Sequence, residues 1–171
     1  DGDHVTITNY EIAKSDYSKY FDITKSGKIS IIKGSAALLP GIYNISLKLT
    51  TGASSEDEGI FENALEINVT SAPFGLEYTP NEDMLEAEND KSGKTSFQSN
   101  APALKGSLEG IEYSIKNITP TTDKIKIDPT TGVLSVDKDH GLQSGNNYVI
   151  SIHVKNNFGE EDFNNAFTLQ V

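Results

Sequence analysis

The chain has 171 residues, of which 25 are acidic and 14 are Lys or Arg, and its formal net charge is -11. Because all of these basic residues are lysines, the chain lacks the arginine-bearing basic patch of a nucleic-acid-binding surface, and that class of function is excluded. The absence of cysteine excludes disulfides and thiolate metal sites, and no apolar run approaches the roughly 18 residues that cross a bilayer.

Short runs of alternating apolar and polar residues fill the first half of the chain. A period of two is typical of β-strands with one buried and one exposed face. Residues 25–27 carry Gly and Ser between two such runs and predict a tight turn. The alternation predicts strands near residues 5–12, 21–23, 29–31, 43–49 and 61–69.

The second half repeats these runs in the same order, which indicates a duplicated module. Gly27 and Gly132 are 105 positions apart, and so are Tyr43 and Tyr148. The spacing falls to 102 in the last run, so the final hairpin loop of the second copy is three residues shorter. Length differences confined to a turn are what β-modules tolerate.

The repeat predicts a definite register between the two copies. Ile29 should lie over Leu134, and Leu47 over Ile152. Residues 128–132, with the sequence Asp-Pro-Thr-Thr-Gly, predict a tight turn that corresponds to the turn of the first copy. We therefore expect each copy to build the same sheets.

The opening part of the second copy, residues 74–106, has no counterpart in the first. Within it the acidic stretch 81–88 could make one or two helical turns, because Met84, Leu85 and the glutamates favour helix, and we interpret it as a loop. A sandwich without its first strand exposes an unpaired edge. Either the first module is natively short or belongs to a longer protein, or a strand from another chain completes it, which would allow self-association through this edge.

The motif Ile-x-Ile-Asp-Pro-Thr-Thr-Gly-Val-Leu-Ser-Val at residues 125–136, followed by Gly145 and the run from Tyr148, resembles cadherin-like and bacterial immunoglobulin-like repeats. The resemblance implies an all-β fold of two tandem immunoglobulin-like or cadherin-like β-sandwiches, the first lacking its opening strand or strands. The implied modules span residues 1–72 and 73–171.

Proteins of this kind are typically bacterial surface proteins, some of them lipoproteins of glycan-uptake systems. The resemblance therefore implies a cell-surface location, with outer-membrane attachment through a region not in this chain. It implies a non-catalytic spacer or adhesion module, or alternatively a glycan-binding module of a polysaccharide-capture lipoprotein. The partner would then be a polysaccharide or another surface protein.

The resemblance does not extend to the calcium motifs of cadherins. Asp137-Lys138-Asp139 is the only partial match, and Ca²⁺ takes about 6 to 8 oxygen ligands. Two carboxylates are too few, so we expect no metal and no cofactor.

Sugar rings stack on aromatic faces, and the chain has no tryptophan to serve as a platform. Tyr17 and Tyr20 in the first module, and Tyr78 and Phe97 in the second, are the candidate exposed rings for glycan binding. Each of them could equally pack at the edge of a sandwich.

A catalytic site is not expected. His4, His140 and His153 have no metal-ligand spacing, and the chain contains no nucleophile elbow, phosphate-binding loop or HExxH helix. Tyr43 and Tyr148 open the longest run of each copy and predict tyrosine corners, in which the hydroxyl bonds a backbone group a few residues upstream.

The two copies also share acidic hairpin loops, at residues 56–59 and 159–162. A third acidic cluster lies in the stretch 82–90. Charge runs at turns are usually solvated, and we interpret all three in that way.

Overall fold

The structure of the chain, a computed structural model, describes residues 6–32, 38–52, 57–87 and 95–171. The predicted strand residue Val5 and the site residues His4, Glu56, Glu88 and Asp90 lie outside the described residues. The chain folds as two compact units, unit 1 at residues 1–69 and unit 2 at residues 70–171. The part of the chain that the structure describes contains no helix with the length and hydrophobicity of a membrane span.

Unit 1 contains five strands and a short 3-10 turn within its described residues. The strands are β1 (Ile7–Ile12), β2 (Phe21–Ile23), β3 (Ile29–Ile31), β4 (Gly41–Thr51) and β5 (Glu58–Val69), and the turn spans Ser18–Tyr20. They form one sheet in the order β1-β4-β5 and a second sheet of β2 and β3, with antiparallel pairing throughout.

Unit 2 contains the same five strands after an additional opening segment. The opening strands are β6 (Phe74–Glu77), β7 (Glu82–Met84), β8 (Phe97–Gln98) and β9 (Ala103–Lys105). The repeated strands are β10 (Glu112–Thr119), β11 (Ile125–Ile127), β12 (Leu134–Val136), β13 (Asn147–Asn156) and β14 (Gly159–Gln170). The sheets have the orders β10-β13-β14-β7, β11-β12-β8 and β6-β9.

The predicted fold class is therefore confirmed: the chain is all-β, with two sandwich units of which the first lacks counterparts of β6 to β9 among its described residues. The sheet β1-β4-β5 corresponds to β10-β13-β14, and the pair β2-β3 corresponds to β11-β12.

The two copies share a β-bulge at the same place in the last hairpin. In unit 1 the register shifts after Ile45, and in unit 2 it shifts after Ile150. Leu47 then pairs with Phe61, and Ile152 with Phe163, as the repeat predicts.

An asparagine in the left-handed region forms each bulge. Asn63 has φ 50° and Asn165 has φ 53°, and Asn is among the few side chains that tolerate this conformation. The N–H of Asn63 donates to the Ser46 hydroxyl at 3.0 Å, and the N–H of Asn165 donates to the Ser151 hydroxyl at 3.1 Å. The bulge leaves the asparagine N–H without a backbone carbonyl on the neighbouring strand, and the serine hydroxyl accepts its hydrogen bond instead.

Both predicted turns are confirmed. In the turn between β11 and β12, the Asp128 carboxylate accepts N–H bonds from Thr130 at 2.9 Å and Thr131 at 2.8 Å. These hydrogen bonds lower the pKa of Asp128, the one from Thr131 most strongly. In unit 1 the N–H of Gly27 donates to the Thr24 carbonyl at 2.9 Å.

The predicted tyrosine corners are also confirmed. The Tyr43 hydroxyl donates to the Leu39 carbonyl at 2.7 Å. In unit 2 the N–H of Gln143 donates to the Tyr148 hydroxyl at 3.4 Å. Each bond ties the start of the longest strand to the chain just before it.

The interpretation of residues 81–88 as a loop is wrong in part, because residues 82–84 form strand β7. This strand pairs in parallel with the end of β14, with Thr168 opposite Glu82 and Gln170 opposite Met84. The sequence does not predict this strand, because its residues are acidic and favour helix. The strand forms through pairing with β14, which is distant along the chain.

The hydrophobic core lies in unit 2. It includes Phe167 and Leu169 on β14, Leu134 and Val136 on β12, and Tyr78 and Phe97 from the opening segment, all below 5% exposure. In unit 1, by contrast, Phe21 and Ile45 are the only buried hydrophobic residues within the described ranges. The two units therefore share strands but not the same degree of burial.

Replacing Ser151 with Ala should destabilise unit 2 by about 1–3 kcal/mol, because the N–H of Asn165 would lose its acceptor beside a side chain that is 3% exposed. The matched change Ser46→Ala should cost unit 1 about 1 kcal/mol or less, because water can replace the exposed acceptor. Denaturant unfolding of both variants, followed unit by unit through NMR signals, measures the difference. Equal costs in the two units would contradict this explanation of the bulge.

Candidate functional site

Two of the candidate rings, Tyr17 and Tyr20, lie together on the 3-10 turn of unit 1. The Ser18 hydroxyl donates to the Ser15 carbonyl at 2.8 Å, and the N–H of Tyr20 donates to the Tyr17 carbonyl at 2.9 Å. These bonds close the turn and hold the two rings on a defined stretch of backbone. The structure thus brings this predicted pair together.

The Tyr17 ring packs against another aromatic ring and is partly exposed to solvent. It makes a T-shaped contact with Tyr43, with ring centroids 5.3 Å apart, and Tyr43 in turn contacts Phe21 at 5.9 Å. Tyr17 nevertheless remains 41% exposed. A partly exposed ring on an aromatic base is a suitable surface for one sugar face.

Tyr20 is less available. It is half-buried, and the Lys19 ammonium lies 5.0 Å from its ring centroid. A cation over the ring face occupies the position that a sugar would need. Of the candidate residues, Tyr17 is the one with a clearly accessible ring.

The expectation that Tyr78 and Phe97 are exposed rings is wrong. Tyr78 is 3% exposed and Phe97 is 4% exposed, and both pack against Phe167 with ring centroids 5.5 Å away. The Tyr78 hydroxyl donates to the buried Gly132 carbonyl at 2.6 Å, and burial raises the pKa of this tyrosine. Both rings fill the core because the opening segment lies across the inner face of the sheets.

A polar groove of about 700 Å³ lies beside this segment in unit 2. It is lined by residues 76–81 and 162–166. Asn164, Asn165 and Asp162 provide amide and carboxylate groups of the kind that hydrogen-bond sugar hydroxyls. Sequence reasoning missed this groove, although the paired asparagines that interrupt the alternation of β14 could have signalled it.

A charged cluster borders the groove. Lys116 Nζ lies 2.8 Å from Asp162 Oδ2, and His153 Nδ1 lies 2.8 Å from Asp162 Oδ1. The hydrogen bond from Lys116, followed by that from His153, lowers the pKa of Asp162. The carboxylate is therefore held ionised by two neighbours.

Two further candidates, His140 and Asp137, have structural partners. His140 is 3% exposed, accepts the N–H of Leu142 on Nδ1 at 3.0 Å, and lies with Nε2 3.1 Å from the Glu86 carbonyl. Asp137, in the partial calcium motif, lies 2.6 Å from Lys126 Nζ. Across the described ranges, no three His, Asp or Glu side chains are grouped as metal ligands.

Two family models match the chain, and both are named for immunoglobulin-like domains of one protein. The model of the second immunoglobulin-like domain of BT4661 matches residues 1–69, and that of the third matches residues 76–171. No curated protein sequence matches the chain.

Similar solved structures come from a bacterial surface protein and from animal cadherins. BT4661, described as a SusE-like surface-located polysaccharide-binding protein from the Bacteroides thetaiotaomicron heparin utilisation locus, is 38% identical over 99% of this chain, with a TM-score of 0.42. The chain spans 20% of the length of BT4661. The human desmocollin-1 ectodomain is 14% identical, with a TM-score of 0.50 over 97% of this chain and 33% of that one, which is a likeness of fold alone.

Replacing Lys116 with Ala should raise the pKa of Asp162 toward its ordinary value, because the carboxylate loses its strongest partner. A lowered pKa adds stability above the ordinary aspartate pKa, and this stability is lost as the pH falls through the lowered value. The variant should therefore lose part of this contribution at neutral pH and depend less on pH in acid. A carboxyl-carbon NMR titration measures the midpoint, with Lys124→Ala as a control that leaves Asp162 unchanged. An identical midpoint in the Lys116 variant would contradict the assignment.

Proposed function

The chain belongs to the family of BT4661 immunoglobulin-like domains, and from this premise we propose that it is a non-catalytic spacer module of a bacterial surface protein. It would hold a polysaccharide-binding region, located elsewhere in the protein, at a distance from its attachment point. BT4661 is described as a polysaccharide-binding protein, and this chain corresponds to a fifth of that protein's length. The rest of such a protein has room for a separate binding site.

Family membership carries this proposal. The residues that follow β5 are bonded into unit 2. The N–H of Ser71 donates to the Ser107 hydroxyl at 3.0 Å, and the Asn156 amide donates to the carbonyls of Ser71 at 2.9 Å and Ser107 at 2.7 Å. Only Thr70 therefore separates the end of β5 from backbone that is bonded into unit 2.

The backbone of residues 72 and 73 is closely packed within unit 2. Pro73 is fully buried, and a side chain at Gly106 would meet the Ala72 carbonyl at 2.6 Å. Gly106 has φ 108°, which a residue with a side chain rarely adopts. The segment that follows Thr70 is thus held by packing as well as by hydrogen bonds.

The net charge also favours a spacer over a binder of anionic polysaccharide. Heparin is a polyanion, and this chain has a formal charge of -11 with no arginine. Like charges repel at long range, and the cluster beside the groove already pairs its lysine with Asp162. A sulfated polysaccharide would be repelled by the net negative charge of the protein.

One observation favours the alternative function of glycan binding. Tyr17 is 41% exposed on an aromatic base, beside the hydroxyls of Ser15 and Ser18. This arrangement would suit a neutral sugar. The proposed partner in that case is a polysaccharide without sulfate groups.

The spacer proposal predicts a narrow distribution of distances between the units. Because the chain has no cysteine, the double variant Lys25→Cys with Asp123→Cys can carry one spin label on each unit at exposed positions. Pulsed dipolar spectroscopy should give a single narrow distance distribution. Inserting Gly-Ser-Gly-Ser after Thr70 should broaden it about twofold, since a Gly/Ser linker behaves as a flexible coil. If the natural chain were as broad as the insertion variant, the spacer proposal would fail.

Affinity electrophoresis separates the spacer from the glycan-binding alternative. A spacer should migrate unchanged through gels that contain neutral polysaccharides or heparin. Retardation by a neutral polysaccharide that is abolished in Tyr17→Ala, but kept in Phe158→Ala, would support the alternative. Phe158 is the matched control because its ring is also 41% exposed, in unit 2.

A further inference from the structure

Strand β7, near the start of unit 2, is paired directly with β14, the last strand of the unit. The two strands run parallel to each other. The N–H of Thr168 donates to the Asn81 carbonyl at 3.0 Å, and the N–H of Leu85 donates to the Gln170 carbonyl at 2.8 Å. The pair therefore connects the two ends of the unit to each other.

The parallel direction decides how tension acts on these bonds. The chain enters β7 at Glu82 and leaves β14 at Gln170. Tension applied before Glu82 and after Gln170 pulls the two strands in opposite directions along their axes. Because the hydrogen bonds lie across the strands, they share this load and must break together. If the two strands were pulled apart from one end, the bonds would break one at a time.

Buried side chains anchor both strands of the pair. Leu85, which directly follows β7, is 1% exposed, and Leu169 on β14 is 0% exposed. Both belong to the core of unit 2. When the strands slide past each other, these side chains must leave the core, which costs free energy in proportion to the apolar area exposed. Hydrogen bonding and packing thus oppose the same movement.

The contacts on either side of the pair release little chain. The N–H of Val171 donates to the Asn146 carbonyl at 3.0 Å, and opening this bond frees one residue before the end of β14 is reached. On the other side, β6 pairs with β9 over residues 74–77, and opening this pairing frees the chain only as far as β7. The load then reaches the β7–β14 pair from both ends.

We propose that the β7–β14 pair is a mechanical clamp that keeps unit 2 folded under tension along the chain. This role rests on the proposed spacer function, because a spacer between a binding region and its attachment point carries the force applied to the bound polysaccharide. The resistance comes from the direction of pairing. It is therefore a property of the unfolding rate under load and not of the equilibrium stability.

Pulling the same strands in two directions tests the clamp. Because the chain has no cysteine, optical-tweezer handles can be attached at introduced cysteines. Handles at Thr70→Cys and at a cysteine added after Val171 load the pair along its strands. Handles at Ala87→Cys and at the same added cysteine pull both strands from one end. At equal loading rate, the unfolding force should be about twofold or more higher in the first geometry.

The two proteins keep every residue of β7 and β14, so the comparison does not require a variant of the pair to fold. Both should have the denaturant midpoint of the natural chain, and a difference in force then reflects direction alone. Equal unfolding forces in the two geometries would overturn the proposal.

A proline variant tests the bonds themselves. The N–H of Thr168 is bonded to Asn81, so Thr168→Pro removes a hydrogen bond of the clamp. Ser99→Pro is the matched control, because the N–H of Ser99 donates to the Leu134 carbonyl at 2.9 Å in the other sheet. Both variants should lower the denaturant midpoint, but only Thr168→Pro should lower the force in the first geometry, by about twofold. An unchanged force in Thr168→Pro, or an equal loss in both variants, would overturn the proposal.

The clamp and the spacer function fail in different measurements. A narrow distance distribution between the units, with equal forces in the two pulling directions, would overturn the clamp and keep the spacer. A broad distribution with direction-dependent forces would overturn the spacer and keep the clamp as a property of unit 2.

Discussion

The burial of apolar side chains in each unit depends on whether a further layer covers the inner face of its sheets. A β-sheet with one apolar face is stable only when another layer lies on that face. In unit 2 the opening segment brings Tyr78 and Phe97 onto Phe167, and the residues around them are almost fully buried. Unit 1 has the same strands without this segment among its described residues, and apolar side chains such as Ile31 and Leu65 are exposed. The contrast between the units follows from this one layer.

Much of the fold can be predicted from the sequence because it depends on local patterns. Alternation locates the strands, the turn residues around Asp128 and Gly27 locate the short hairpins, and the tyrosines at positions 43 and 148 locate the corners. Strand β7 and the burial of Tyr78 could not be predicted in this way. Both depend on contacts with residues that are distant along the chain, and alternation reports which residues share a face but not what covers it.

The candidate site is less predictable than the fold for the same reason. Tyr17 and Tyr20 are neighbours in sequence, so their clustering needs only a short turn. The groove of unit 2 joins residues 76–81 to residues 162–166, and only the folded sheets bring these together.

The shared bulge has a consequence for protein engineering. The asparagine and serine that form it hold the β4–β5 and β13–β14 hairpins in the same alignment, although the connecting tips differ by three residues. Slippage by one residue would turn every side chain beyond the bulge to the wrong face. The tips can therefore differ in length without changing the alignment of the strands, so an engineered change of tip length should leave each hairpin in register.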